Sequence, residues 1–459
     1  MSDQILKTSD QATIPVHALC EADLDGYLAT ATDFLKGFAA ANEFKARAGQ
    51  ILSSPGADGA VDCILFGVGA GADPTVFRGL AAKLPAGDYE LKTCPASLNP
   101  NDVALAFGLG GYRFDRYRKK GGDRPRLVTP DSDVVEAAQI VRACALARDM
   151  TNTPASDLGP LQIETIAREI AEAFGAEISV IVGDDLLAQN YPAVHAVGRA
   201  AAPDRAPRMI EITWGSIDNP SVVLVGKGVT FDTGGLDIKP SAGMRQMKKD
   251  MGGAAHVLAL GRMVMAAKLP VRLSILVPAV ENAISGDAMR PGDVLNSRKG
   301  LTIEVGNTDA EGRLILADAL TRATELDPVL TLDMATLTGA ARIALGPQLP
   351  PFFTDDEALA TDIAACAIEA HDPVWRLPLW KGYVDALDSD IADIKNDPDG
   401  WAQAGSVTAA LFLQKFAPTT AWAHFDIFAW NPRNRPGWSS GAEAQAIRGL
   451  YSLLRKRFP

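Results

Sequence analysis

The spacing of apolar and polar positions changes several times along the chain, and each change marks an expected element. Leu24 to Arg47 carries apolar residues at helical spacing, and Val61 to Phe66 is an apolar run of strand length, a combination that predicts a small α/β unit. The polar, proline-containing segment Lys119 to Asp133 interrupts this pattern. Helical periodicity resumes from Val134 to Asp149 and is closed by Asn152-Thr153-Pro154. Beyond it, β-rich runs (Ser221 to Val225, Val271 to Val277, Val329 to Leu332) alternate with helical ones (Ala254 to Ala267, Leu314 to Glu325). The expected fold class is α/β, with a small N-terminal α/β domain over residues 1–130. A larger C-terminal α/β domain over 131–459 opens with a linking helix at 131–150 and holds a mixed central sheet flanked by helices.

Length supports two domains, because 459 residues exceed the roughly 250–300 at which single cores stop growing. A hydrophobic content of 47% with 22% charged residues rules out a chain that is disordered by composition. The formal net charge of −12 disfavours nucleic acid and anionic membranes as partners, since both select clustered positive charge. No apolar stretch approaches the roughly 18 residues of a membrane span, and MSDQILKTSD lacks the basic start and apolar core of a signal peptide, so the expected address is cytoplasmic. Five scattered cysteines (Cys20, Cys63, Cys94, Cys144, Cys366) include no C-x-x-C pair and are expected to be buried, reduced thiols.

Candidate chemistry concentrates between residues 227 and 313. VGKGVTFDTGGLDIKP, residues 225–240, sets Lys227, Asp232, Asp237 and Lys239 among four glycines, without the G-x-x-x-x-G-K-[ST] pattern of a phosphate loop. MKKDMGGAA places Asp250 just ahead of a helical run, and GNTDAEGRL spaces Asp309, Glu311 and Arg313 two residues apart. In an extended conformation those three side chains would leave one face. Lys227 and Asp232 are expected in loops after the strand at 222–225, and Asp309 and Glu311 after Ile303 to Val305. Crowded carboxylates repel unless a cation or proton intervenes, so Asp232, Asp250, Asp309 and Glu311 fit a two-ion site with bridging carboxylates.

Taken singly, each acid is more readily a surface residue or helix cap; the joint pattern with two lysines and an arginine is not. The five histidines (His17, His195, His256, His371, His424) form no H-E-x-x-H and are expected to be structural, and no G-x-S-x-G elbow or catalytic cysteine context is present. FGVGAG at Phe66 to Gly71 is expected to be a tight turn, and the basic stretch Arg113 to Arg126 a solvated connector.

These segments resemble the leucyl aminopeptidase (cytosol aminopeptidase) family, whose hallmark NTDAEGRL stands unchanged at Asn307 to Leu314. The resemblance extends through VGKGVTFDTGG, MKKDMGGAA, MRPGDV (289–294) and DMATLTGA (333–340). It is weaker at RDMTNTPA (148–155), WRLPL (375–379), ADIKN (392–396) and WAHFDI (422–427), with only YRFDRYRKK (112–120) in the first domain. It implies one metal on Lys227, Asp232, Asp250 and Glu311 and a second on Asp232, Asp309 and Glu311, with Lys227 as a neutral amine ligand. Lys239 would contact the substrate carbonyl oxygen, and Arg313 would hold a bicarbonate acting as general base. Met247, Thr336 and Gly339 would line the pocket for an apolar first side chain such as leucine. Mn²⁺ or Zn²⁺ are the implied ions, with Mg²⁺ and Co²⁺ as alternatives, acting in a homo-hexamer on peptide substrates. Two segments depart from the family pattern, GAEAQA from Gly441 and PDGWAQAGS from Pro398 to Ser406, the first of which bears on side-chain preference. Competing readings are a DNA-binding or regulatory protein on the same scaffold, which the net charge disfavours, and a metal-dependent phosphoesterase, which leaves the NTDAEGRL run unexplained.

Overall fold

The computed structural model describes residues 4–118, 122–398 and 403–459. Residues up to Ala145 together with Asn431–Ser440 form one compact unit, and Leu146–Trp430 with Gly441–Pro459 form the other.

The first unit is built on a six-stranded sheet in the order Ile5–Leu6, Pro125–Val128, Gly87–Thr93, Ile14–Leu19, Val61–Gly67, Ile51–Pro55. All neighbours are parallel except the last pair. Two expectations change here. The helical stretch from Leu24 is two helices, Leu24–Thr30 and Asp33–Ala41, because Thr32 caps the second by accepting from Leu35 N at 3.2 Å. Positive φ angles at Glu43 and Ala46 end it well before Arg47. The polar segment read as an interruption contains the strand Pro125–Val128, whose proline stands first, where a missing N–H is tolerated. FGVGAG is a turn, with Gly69 and Gly71 at positive φ and no room for a side chain at Gly67, where a Cβ would lie 2.3 Å from Arg47 O.

The second unit holds a mixed nine-stranded sheet. Its centre is parallel: Ala421–Asp426, Leu330–Ala335, Ser221–Gly226 and Arg272–Asn282 lie side by side. Arg208–Trp214 and Glu177–Val182 add antiparallel strands on one side. The central strands are buried nearly throughout, polar residues such as Thr331, Asp333 and His424 included, as expected where helices cover both faces. Gly252–Ala266 is buried along nearly its whole length, and Leu314, Ile315 and Leu316 of the helix Gly312–Thr324 enter the main core with Val223, Val225, Leu276 and Phe412. Thr302–Glu304 forms a smaller sheet with Val294–Asn296 and Ile394–Lys395. Val134–Asn152 is one helix.

All five cysteines are free; Cys63, Cys144 and Cys366 are buried as expected, whereas Cys20 and Cys94 are partly exposed. No helix among the described residues is long and apolar enough to cross a membrane.

Candidate active site

Three adjacent parallel strands end side by side, the position where ligands gather in open α/β sheets. Lys227 follows Ser221–Gly226, Thr336 follows Leu330–Ala335, and Asp426 closes Ala421–Asp426. The chain beyond Lys227 does not become a loop, as the glycines led one to expect. It continues as a short strand, Gly228–Asp232, pairing in parallel with the end of Arg272–Asn282 and bringing Asp232 opposite Asn282. Lys227 is fixed at this step from both sides: its N–H donates to Met334 O at 3.0 Å and its carbonyl accepts from Ala254 N at 2.8 Å. Such contact requires glycine at 253, where a Cβ would lie 2.1 Å from Met334 O.

Asp309, Glu311 and Arg313 do not share an extended face. Asp309 lies in a turn, Glu311 has helical backbone angles at the N-cap, and Arg313 is in the first turn of Gly312–Thr324. Backbone N–H groups left free at a helix start make that turn a favourable place for carboxylates, and convergence arises from the turn rather than from a two-residue repeat. Ligand oxygens of Asp232, Asp309 and Glu311 lie within 4.8 Å of one another.

Lys227 and Asp250 complete the cluster. Lys227 Nζ is 2.8 Å from Asp250 Oδ2 and 3.1 Å from Glu311 Oε1, and Lys239 Nζ is 2.8 Å from Asp232 Oδ2 and in contact with Asp309 Oδ1. Lys227, Asp232, Asp250 and Glu311 are all buried. Four carboxylates therefore face the ammonium groups of Lys227 and Lys239, with Lys249 Nζ a further 4.0 Å from Asp250 Oδ1, in a site largely closed to water. Burial first, and Asp232 second, push the Glu311 carboxyl up to about 8, and the same two causes push Asp309 up to about 6. Burial alone would lower the Lys227 ammonium, but Asp250, Glu311 and Asp232 outweigh it and hold the group charged. Burial raises Asp250 less than Lys227 and Lys249 lower it, so it stays below the usual carboxylate range.

Carboxylate oxygens outnumber the hydrogen bonds available to them here. Asp250 Oδ2, Asp309 Oδ1 and both Glu311 oxygens are buried without a hydrogen-bond partner among the described residues, although ammonium groups lie beside three of them. Buried acceptors of this kind are rare unless something else coordinates them. Oxygen donors with one amine fit a hard or borderline divalent cation, which would also displace the proton that makes Lys227 cationic.

Arg313 is buried, with Nη1 donating to Asn396 O at 2.6 Å and Nε lacking a hydrogen-bond partner among the described residues. Met247 begins the short helix Met247–Met251, which carries Asp250. Thr336 Oγ1 donates to Asp250 O at 2.9 Å and lies 2.8 Å from Asp250 Oδ1, and Gly339 is exposed beside open space.

Several positioning residues, apart from Asp237, carried no signal in charge or spacing. Asn282 Nδ2 donates to Asp232 Oδ1 at 2.8 Å. Thr308 Oγ1 accepts from Asp237 N at 2.9 Å while Asp237 Oδ2 accepts from Thr308 N at 2.8 Å, clamping the two loops together. Asn396 accepts from Gly306 N at 2.8 Å and donates to Asn307 O at 2.8 Å. Gly312 gives Lys227 its room, since a Cβ there would lie 2.8 Å from Nζ. At the departure from the family pattern, Gly441 has φ +118° against Asn152, Ala446 is left-handed, and Gln445 Oε1 accepts from Ala429 N at 2.8 Å. Within Pro398 to Ser406, residues 399–402 lie outside the described residues, as do Lys119 and Lys120 of the Tyr112 to Lys120 match.

The histidines take no part in the cluster. His256 is buried between Gly252 O and Gln445 N, and His424 pairs with Asp333 at 2.5 Å.

The model of the cytosol aminopeptidase family, catalytic domain, matches residues 145–451, and the N-terminal domain model of the same aminopeptidases matches residues 14–130. A probable cytosol aminopeptidase of Roseiflexus castenholzii is 39% identical, over 78% of this chain and 77% of its own length. One from Chlorobium limicola is 36% identical, over 90% of each. Among solved structures, the cytosol aminopeptidase of Coxiella burnetii superposes with a TM-score of 0.95 at 43% identity, covering 100% of both chains. The bottromycin maturation enzyme BotP in complex with Mn superposes with a TM-score of 0.88 at 34% identity, covering 98% of this chain and 100% of its own.

Proposed function

The chain belongs to the cytosol aminopeptidase family of metal-dependent exopeptidases, and from that membership we propose that it is a two-metal enzyme releasing N-terminal leucine and other apolar residues from peptides. The observation that carries this reading is the crowding of Asp232, Asp250, Asp309 and Glu311 around Lys227 and Lys239, with ligand oxygens of Asp232, Asp309 and Glu311 within 4.8 Å of one another and Glu311 Oε2 buried with neither hydrogen bond nor ion pair among the described residues. One ion would be held by Lys227, Asp232, Asp250 and Glu311, and the other by Asp232, Asp309 and Glu311. When bound, two divalent ions supply Lewis acidity toward the substrate amine and carbonyl and make water acidic enough to attack near neutral pH.

The chain's own residues do the rest. Lys239 has its ammonium between Asp232 and Asp309, half-buried at the edge of the cluster, from which it donates a hydrogen bond to the scissile carbonyl oxygen as negative charge develops there. Arg313, oriented by Asn396, would hold a bicarbonate, which would supply a general base at this position. Asn282, Thr308 and Asp237 keep the two carboxylate loops in register. Met247, Thr336 and Gly339 border the first side chain in this reading, and a Cβ built at Gly339 would meet nothing within 4 Å. Mn²⁺ or Zn²⁺ suits the mixed oxygen and amine donors, and the Mn complex of BotP supports manganese.

The same reading includes a cytoplasmic homo-hexamer. Ile343, Ile368, Trp375 and Trp380 of the second unit, each more than half exposed, supply apolar surface for contacts between copies. The test is hydrolysis of leucine p-nitroanilide by metal-depleted protein with Mn²⁺, Zn²⁺, Co²⁺ or Mg²⁺ added back. Activity that appears only with added metal and fails on N-acetyl-leucine p-nitroanilide supports the proposal; activity indifferent to chelation, or to acetylation, refutes it.

A further inference from the structure

The first unit contains a cleft of about 500 Å³ that none of the candidate active-site residues lines. Its volume falls within the roughly 300–1,000 Å³ of small-molecule sites. The floor is Gln4, only 4% exposed, and neither its amide oxygen nor its amide nitrogen has a hydrogen-bond partner among the described residues. A buried amide with both edges unused is costly and calls for a partner that donates and accepts together. Glycine at 111 makes the arrangement feasible, because a Cβ there would lie 2.2 Å from Gln4 Nε2 and 2.7 Å from Oε1.

The walls carry the opposite sign to the chain as a whole. Arg113, Arg124 and Arg435 line the cleft with one lining carboxylate among the described residues, Asp123 at the rim, while Asp115 pairs with Arg113 at 3.6 Å and with Arg124 at 3.3 Å, in a chain of net charge −12. Two of these guanidinium groups are held in place: Arg124 donates to Gly111 O and to Asp115 Oδ2, both at 3.3 Å, and Arg113 donates to Gly122 O at 3.2 Å. Trp438 forms a further wall, with the guanidinium carbons of Arg78 and Arg435 at 4.4 and 4.8 Å from its ring centre. Gly437, with φ +77°, lets this loop close on Arg78, which a Cβ would meet at 2.2 Å.

We propose that this cleft binds a small organic carboxylate that also carries an amide, of the size of an acylated amino acid or a dipeptide. The carboxylate lies against the guanidinium groups of Arg113 and Arg124, which suit planar anions, and the ligand amide pairs with both edges of Gln4. The site is separate from peptide hydrolysis and stands whether or not the two-metal reading holds.

The test uses full-length, metal-loaded protein and N-acetyl-L-alanine, whose blocked amine excludes it as an aminopeptidase substrate. Calorimetric titration is expected to show one saturable site per chain, with a dissociation constant of roughly 1 mM or tighter. Gln4→Leu removes the unpaired amide, so this variant folds and melts at or above the wild-type temperature while binding roughly tenfold more weakly. Arg124→Gln weakens binding by a similar factor, Glu311→Gln leaves it unchanged, and acetate, lacking the amide, binds at least roughly tenfold more weakly. Absence of saturable binding, equal binding by Gln4→Leu, equal binding of acetate, or loss of binding in Glu311→Gln would each overturn the proposal.

Discussion

Lys227 Nζ lies 2.8 Å from Asp250 Oδ2, with both side chains buried, so the candidate metal centre is closed on one side by an ion pair that a bound cation must reorganise. Without metal the lysine is the counter-charge of the carboxylates; in the proposed two-metal site it would become a neutral donor. Lys227→Met is therefore predicted to act twice. Metal-free variant should be about 3 kcal/mol less stable than metal-free wild type at neutral pH, because removing one member of a buried pair strands the other. Activity with saturating metal should fall at least roughly a hundredfold. Denaturant unfolding and steady-state kinetics check the two parts, and a variant of wild-type stability would contradict the ion-pair account.

Gly312→Ala places a Cβ 2.7 Å from Lys227 Cε and tests the same lysine without altering its charge. A flexible side chain can yield, so the stability loss should stay near 1 kcal/mol while metal affinity drops roughly tenfold. Gly253→Ala meets the rigid backbone at Met334 O instead and should cost about 3 kcal/mol. Equal effects of the two alanines on stability would show that Lys227 is not what Gly312 accommodates.

Asp237→Ala removes the acceptor of Thr308 N, a residue with no exposed surface, and should cost about 1–2 kcal/mol. The loops carrying Lys239 and Asp309 would lose their clamp, and kcat should fall roughly tenfold with little change in KM. A change confined to KM would place Asp237 in substrate binding rather than in loop alignment.

His256 provides the pH dependence. Its Nδ1–H faces Gly252 O at 2.6 Å and its Nε2 accepts from Gln445 N at 3.0 Å, so a second ring proton would confront an N–H. Burial is the main cause that lowers its pKa from 6.5 to about 4. With the folded value depressed, the stability it contributes is complete above about pH 6.5 and is lost as pH falls toward 4, about 3 kcal/mol in all. Urea unfolding of wild type and His256→Asn between pH 7.5 and 4.5 should show a slope in the first that is shallower in the second. Parallel slopes would assign the acid sensitivity to other groups.

Much of this site was legible in the sequence because metal chemistry demands residue types, and those stay visible as letters. Lys227, Asp232, Asp250, Asp309, Glu311 and Lys239 do converge. Their local conformations were less legible. Glycines around Lys227 read as a loop, yet they serve close packing against Met334 and Ala254 while the chain continues as strand. A spacing of two at Asp309 and Glu311 read as extended, yet the segment is a turn into a helix. Asn282 carried no signal, and Thr308 and Asn396, though inside the runs NTDAEGRL and ADIKN, showed no role, because a neutral side chain acquires its role only from tertiary neighbours far along the chain. Likewise the strand Pro125–Val128 hid in a polar stretch, since its partners at Ile5–Leu6 and Gly87–Thr93 are distant in sequence.

Metal stoichiometry tests the two-ion centre most directly. Metal-depleted protein titrated with Mn²⁺ and read by native mass spectrometry should take up two ions per chain, whereas Asp309→Ala, which removes a ligand from one ion only, should retain one and lose activity. Uptake of a single ion by wild type, or of two by both proteins, would contradict the account.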